Sequence, residues 1–146
     1  VLDNSTTAMT GHQPHPGTGR TVMGEIVQKI NIEQVLRGIG VTEIETINPL
    51  ELEASVSCVK RMAEKSGVRA IIFKAPCIAV TKPKAPLHVD QDSCIGCKKC
   101  IRDLGCPAIV MNDGKICIDA SMCTGCHLCS QVCPVCAIAG GDDKNE

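Results

Sequence analysis

Cysteine carries the chemistry of this 146-residue chain. Of its twelve cysteines, ten fall between Cys94 and Cys136, and only Cys58 and Cys77 precede them. Eight form two runs, Cys94-x2-Cys97-x2-Cys100-x5-Cys106-Pro107 and Cys123-x2-Cys126-x2-Cys129-x3-Cys133-Pro134. Three thiolates on a tight loop can wrap one face of an iron–sulfur cube with their amides aimed at the sulfides. Gly96 and Gly125 allow the backbone the close approach this needs. The fourth cysteine, followed by proline, takes a new direction and in two-cluster arrangements ligates the cluster of the other half. The spacing therefore assigns Cys94, Cys97, Cys100 and Cys133 to one 4Fe-4S cluster, and Cys106, Cys123, Cys126 and Cys129 to a second.

The second run matches the bacterial ferredoxin signature, while the first has two extra residues before its final Cys-Pro. Structural zinc competes for CxxC pairs, but CxxCxxC triplets overload an ion that takes four ligands. A disulfide scaffold fits poorly with clustered CxxC spacing and no export signal. Cys117 and Cys136 lie outside both quartets and are expected to be small buried side chains, and Cys58 and Cys77 to be packing residues. His127, between ligand cysteines, is expected to face solvent from its loop.

These loops need a frame, and the chain repeats itself to build one. His88 to Cys100 recurs 29 residues on as Cys117 to Cys129, with aspartate, serine or methionine, cysteine and glycine in step. Such a repeat implies two equivalent halves about an approximate two-fold axis. Residues 87–146 are thus expected to form a small α+β ferredoxin-like domain. Residues 81–86, Thr-Lys-Pro-Lys-Ala-Pro, read as a proline-punctuated linker.

Residues 1–80 read as α/β. Asn31 and Gln34 form a capping pair for a short helix through Arg37, closed by Gly38 in a left-handed conformation. Ile44–Ile47 reads as a strand. Asn48-Pro49 with Glu51 predicts a second helix with Asn48 as its cap and an apolar face of Leu52, Val56, Val59 and Ala63, ended by Gly67. Ala70–Phe73 then reads as a strand covered on both faces and parallel to the first. Val1-Leu2 resembles the tail of a buried strand, and so few elements cannot cover a sheet, so 1–80 is expected to close a larger domain whose beginning is absent. Residues 5–30 are a long Gly- and Pro-containing loop of the kind that usually serves function.

Composition excludes other classes. A net charge of −1 and pI near 6.5 provide no basic stripe for nucleic acid. No apolar run approaches membrane-spanning length, and no leader is evident, so a cytoplasmic protein is expected.

The stretch Leu2-Asp3-Asn4-Ser5-Thr6-Thr7-Ala8-Met9-Thr10-Gly11-His12-Gln13-Pro14 resembles the second half of the thiamine-diphosphate motif of the 2-oxoacid:ferredoxin oxidoreductases. Thr6 to Gly19 together with the clustered C-terminus is most similar to the α subunits of indolepyruvate:ferredoxin oxidoreductases, and the similarity covers essentially the whole chain as their C-terminal part. It implies thiamine diphosphate and Mg2+ as further cofactors, with Asn4 and the carbonyl of Thr6 as Mg2+ donors. The loop Thr10–Gln13, including Gly11, would lie over the cofactor, with His12 as an active-site residue and His15 as a weaker candidate. The implied reaction is oxidation of indole-3-pyruvate and related aryl 2-oxoacids with coenzyme A to acyl-CoA and carbon dioxide, ferredoxin taking the electrons. A β subunit is the implied partner. The Gly-Asp-Gly half of the motif and the activating glutamate would lie upstream, so the fragment alone is expected to be inactive. A pyruvate or 2-oxoglutarate enzyme of the same class, or a free diferredoxin carrier, remain the alternatives.

Overall fold

The structure, a computed structural model, describes residues 1–7 and 11–140; Ala8, Met9 and Thr10 of the cofactor-loop motif lie outside them. The chain divides into two compact units, Val1–Lys82 and Pro83–Glu146.

In the first unit, β1 (Leu2–Asp3), α1 (Ile32–Gly38), β2 (Glu43–Ile47), α2 (Leu52–Glu64) and β3 (Arg69–Lys74) follow in order, with a 3-10 turn at Ile78–Val80. The sheet has the order β1-β3-β2 and is wholly parallel, Leu2 lying opposite Phe73 and Glu43 opposite Arg69. A helical crossover between β2 and β3 makes that parallel pairing possible. Ile72 is buried, whereas Ile71 and Phe73 are half-buried and Leu2 is exposed, so the strands are not covered on both faces.

Asn31 caps α1 as expected, its side chain accepting from the Gln34 amide at 3.2 Å. The helix end differs from expectation. Gly38 stays helical, and the left-handed residue is Gly40, at φ +94°. Its amide donates to Arg37 and that of Val41 to Leu36, the paired bonds of a Schellman motif, which places the glycine two residues beyond the last helical one.

α2 departs further. Asn48 caps a turn, accepting from Leu50 at 3.0 Å, and the helix starts only at Leu52. Its buried face is Ser55, Cys58 and Met62, while Val56 and Val59 are exposed. The Ser55 hydroxyl is satisfied by the Asn48 carbonyl at 3.0 Å, so a polar residue can occupy the buried stripe at no cost in lost hydrogen bonds. Cys58, a packing residue as expected, donates to Glu45 at 3.4 Å, and Arg61 holds the same carboxylate. Arg61 draws the Glu45 carboxyl below its usual range, whereas burial, then Glu45, pushes the Cys58 thiol up.

The second unit contains β4 (Leu87–Val89), α3 (Lys99–Leu104), β5 (Ile109–Asn112), β6 (Lys115–Ile118), α4 (Leu128–Val132) and β7 (Ile138–Gly140). β4 pairs antiparallel with β7, and β5 with β6, so each ladder joins one half to the other. Asp113-Gly114, both at positive φ, turns the β5–β6 hairpin. The repeat extends to the backbone: the Asp90 amide donates to Ala137 and the Asp119 amide to Ala108, both at 2.8 Å. The two extra residues before Cys106 are offset by two fewer after it, which keeps Ala108-Ile109 and Ala137-Ile138 29 residues apart. All four are buried, and with Leu87, Ile116 and Val132 they form the core of this unit.

Candidate metal centre

Each cysteine loop is shaped by backbone conformation. Gly96 and Gly125 have φ of +64° and +67°, and two residues on Lys98 and His127 take the same left-handed region at +59° and +61° before α3 and α4 begin. Alternation of this kind turns successive amides inward, which makes a concave cradle for negative charge. His127 is half-buried, and its carbonyl accepts from the Ser130 hydroxyl at 2.8 Å, so its role here is to start a helix rather than to face solvent from a loop.

Cys94, Cys97, Cys100 and Cys133 line one cavity of about 330 Å³, counted out to open solvent, whose remaining wall includes Val89, Ile116, Ala137 and Ile138. Cys133 comes from the opposite half of the repeat. The Cys100 thiol is pushed up mainly by burial, with the charges of Cys133 and Cys97 adding to the shift. The other four cysteines lie near enough to one another for their charges to act on Cys129. Burial, followed by Cys126, Cys123 and Cys106, pushes the Cys129 thiol up to about 11. Amides reach the sulfurs directly, Ala137 donating to Cys133 at 3.3 Å and Leu87 to Cys123 at 3.5 Å.

Among the described residues no three His, Cys, Asp or Glu side chains converge closely enough to take a single metal ion. A tetrahedral zinc draws each thiolate to about 2.3 Å from one point. Four soft donors around an apolar cavity instead suit a cubic cluster.

The remaining cysteines separate. Cys117 is half-buried in β6 and Cys77 half-buried after β3. Cys136 is exposed, at φ +51°, which corrects the expectation that it is a buried packing residue. The residues that offset the extra pair before Cys106 are Val135 and Cys136, and they bulge outward so that Ala137 can return to the core.

Of the residues implied by resemblance, Asn4 follows β1 directly, and its Oδ1 accepts from the Thr6 amide at 3.2 Å while its carbonyl accepts from the Cys77 amide at 2.9 Å. Thr6 is buried. Gly11 and His12 are exposed at φ +113° and +58°. His15 organises its own loop, its Nδ1 accepting from Gly17 at 3.1 Å and its carbonyl from Thr18 at 2.8 Å. An amide oxygen with a second lone pair is a hard donor of the type Mg2+ accepts, so the residues present are compatible with the ion.

A family profile described as a 4Fe-4S dicluster domain matches residues 86–134. The chain is similar to indolepyruvate oxidoreductase subunits IorA. It is 44% identical over 140 residues to that of Methanothermobacter thermautotrophicus, 41% over 140 to that of Methanothermobacter marburgensis and 38% over 144 to that of Archaeoglobus fulgidus. Each match takes in 94% of this chain and 23% of the relative, so the chain spans about a quarter of their length. No solved structure matches it. With these relatives along nearly all of its length and a dicluster domain at the cysteine runs, the chain fits one part of an IorA-type indolepyruvate oxidoreductase subunit.

Proposed function

We propose that this chain is the electron-relay part of an enzyme that oxidises indole-3-pyruvate and related aryl 2-oxoacids, with coenzyme A, to acyl-CoA and carbon dioxide. Cys94, Cys97, Cys100 and Cys133 hold one 4Fe-4S cluster, and Cys106, Cys123, Cys126 and Cys129 hold the other. The supporting observation is the sharing of one cavity by Cys133 and the triplet of the opposite half. Each cluster takes one electron at a time, so a pair suits an oxidation that releases two. The amides donated to Cys133 and Cys123 favour the thiolate and with it the reduced, more negative state.

Residues 1–80 belong, on this reading, to a thiamine-diphosphate-binding domain, with Asn4 Oδ1 and the Thr6 carbonyl as Mg2+ donors and Gly11 and His12 over the cofactor. Support comes from the position of Asn4, just beyond the carboxyl end of a parallel strand, where ligands of such sheets collect. Thiamine diphosphate, when bound, supplies the electron sink for decarboxylation. The residues that would activate it are not among these 146, and the chain alone turns over no 2-oxoacid. A second subunit and a ferredoxin acceptor complete the enzyme, which we place in the cytoplasm; among the described residues no helix is long and apolar enough to cross a membrane.

The test is anaerobic quantification of iron, acid-labile sulfide and zinc on the purified chain. About eight irons and eight sulfides per chain are expected. Zinc without sulfide would reject the relay.

A further inference from the structure

The two cysteine loops are equivalent by the repeat but unequally covered. In the first, Gly96, Cys97 and Lys98 are exposed, and Ile95 is 66% exposed. In the second, Gly125 is buried, and a Cβ there would stand 2.6 Å from the Ala85 carbonyl and 2.7 Å from the Lys84 Cβ. The Lys84 amide also donates to Thr124 at 3.2 Å. The segment that enters this unit therefore lies over the second loop and leaves the first open.

Charge divides the loops in the same way. From Ile95 to Arg102 there are three cations and no acid, whereas from Cys123 to Val132 there is neither Lys, Arg, Asp nor Glu. Lys99 is paired with Asp103 at 2.6 Å, which leaves Lys98, lining the open cavity, and exposed Arg102, one helical turn on, as the cations of this loop outside an ion pair. Ile95 and Val135, the latter 38% exposed, give that rim an apolar centre. Positive charge around a small apolar patch steers and then seats an acidic partner.

We propose that electrons leave this unit through the Cys94–Cys97–Cys100–Cys133 site, and that an acidic, soluble electron-carrier protein docks on the rim of Ile95, Lys98, Arg102 and Val135. This rests on the cysteines holding clusters as described above. Each docking passes one electron: the cluster is oxidised by one and the carrier reduced by one. Two carriers are reduced for each 2-oxoacid oxidised. Cys97, which is exposed, would help to hold a cluster on the side the carrier approaches, while Lys84 and Ala85 lie over the second loop.

The experiment uses the complete enzyme complex with iron and sulfide measured first. The variant Arg102→Glu, at a rim cation outside the cavity lining, is compared with the unaltered enzyme using an acidic bacterial ferredoxin and a small neutral quinone as acceptors. The expected result is a fall of about tenfold or more in kcat/KM for ferredoxin, and a flatter dependence on salt, with the quinone rate retained. Equal ferredoxin kinetics in the two enzymes would overturn the proposal. Acylation of Lys98 in the unaltered complex is the second measurement, independent of how the variant folds. Reaction without ferredoxin and protection in its presence support the docking rim; protection in the absence of ferredoxin would make the rim an interface inside the enzyme and overturn it. An unaltered complex lacking iron and sulfide rejects the cluster reading as well, whereas a loaded complex that fails these tests rejects the docking rim alone.

Discussion

Thiol chemistry at single residues separates ligands from bystanders. Cys97 and Cys136 are both exposed, while Cys58, Cys100 and Cys129 are buried and the thiols of all three are pushed up. Alkylation requires a reachable thiolate. In the cluster-free chain Cys97 and Cys136 are therefore expected to react with iodoacetamide first, and Cys58 and Cys129 last. With clusters loaded, Cys97 is expected to become protected while Cys136 stays reactive, because only the former belongs to a proposed quartet. Peptide mapping of the label reads this directly, and a Cys136 that is protected on loading would move it into the ligand set. The shape of the cysteine-triplet loops was legible from spacing, because it is set by a few consecutive backbone conformations such as those of Gly96 and Gly125. The exposure of Cys136 was not legible: it follows from the extra pair before Cys106 being offset after Cys133, a relation visible only once Ala108 and Ala137 occupy matching places.

Glycines that look alike in the repeat do different work at the level of the element. A side chain at Gly96 meets nothing within 4 Å and bears only the left-handed φ, whereas one at Gly125 also collides with the Lys84–Ala85 backbone. Gly96→Ala is thus expected to destabilise the loaded unit by about 1 kcal/mol, the scale of a single strained backbone residue. Gly125→Ala should cost clearly more, and thermal unfolding of the loaded protein followed at the cluster absorbance measures both. Equal losses would mean that Lys84 and Ala85 do not cover the second loop. The same contrast explains what the elements of the first unit concealed. Asn31 and the β2–α2–β3 crossover were readable because capping and parallel pairing are set nearby. The face of α2 was not, since Leu52, Val56, Val59 and Ala63 and the alternative Ser55, Cys58 and Met62 are both plausible helical stripes. The choice between them is made by the sheet, where Glu45 meets Cys58 and Arg61.

The second unit is too small, and its core side chains too short, to be held by burial alone. Among the described residues its buried side chains are Leu87, Ala108, Ile109, Ile116, Val132, Ala137, Ile138, Cys100 and Cys129, and the chain's one aromatic residue, Phe73, lies in the other unit. A core of this size supplies no more than about 3–5 kcal/mol before any cross-link is counted, and small domains make up the difference with metal or disulfide staples. In the proposed arrangement each cluster ties Cys106 or Cys133 to the opposite half, so the clusters close the repeat upon itself. Removing them also strands buried thiols such as Cys129 in a cavity without a partner. Chelation of iron is therefore expected to lower amide protection in β5 and β6 by about a hundredfold, equivalent to ~3 kcal/mol of local stability. Amides around Ile72, held by the β1-β3-β2 ladder and the α2 packing, should keep theirs. Hydrogen exchange resolved by peptide gives both answers in one experiment. Retained protection at Ile109–Ile118 after iron removal would show that the short core suffices, and that the clusters are held by the fold rather than holding it.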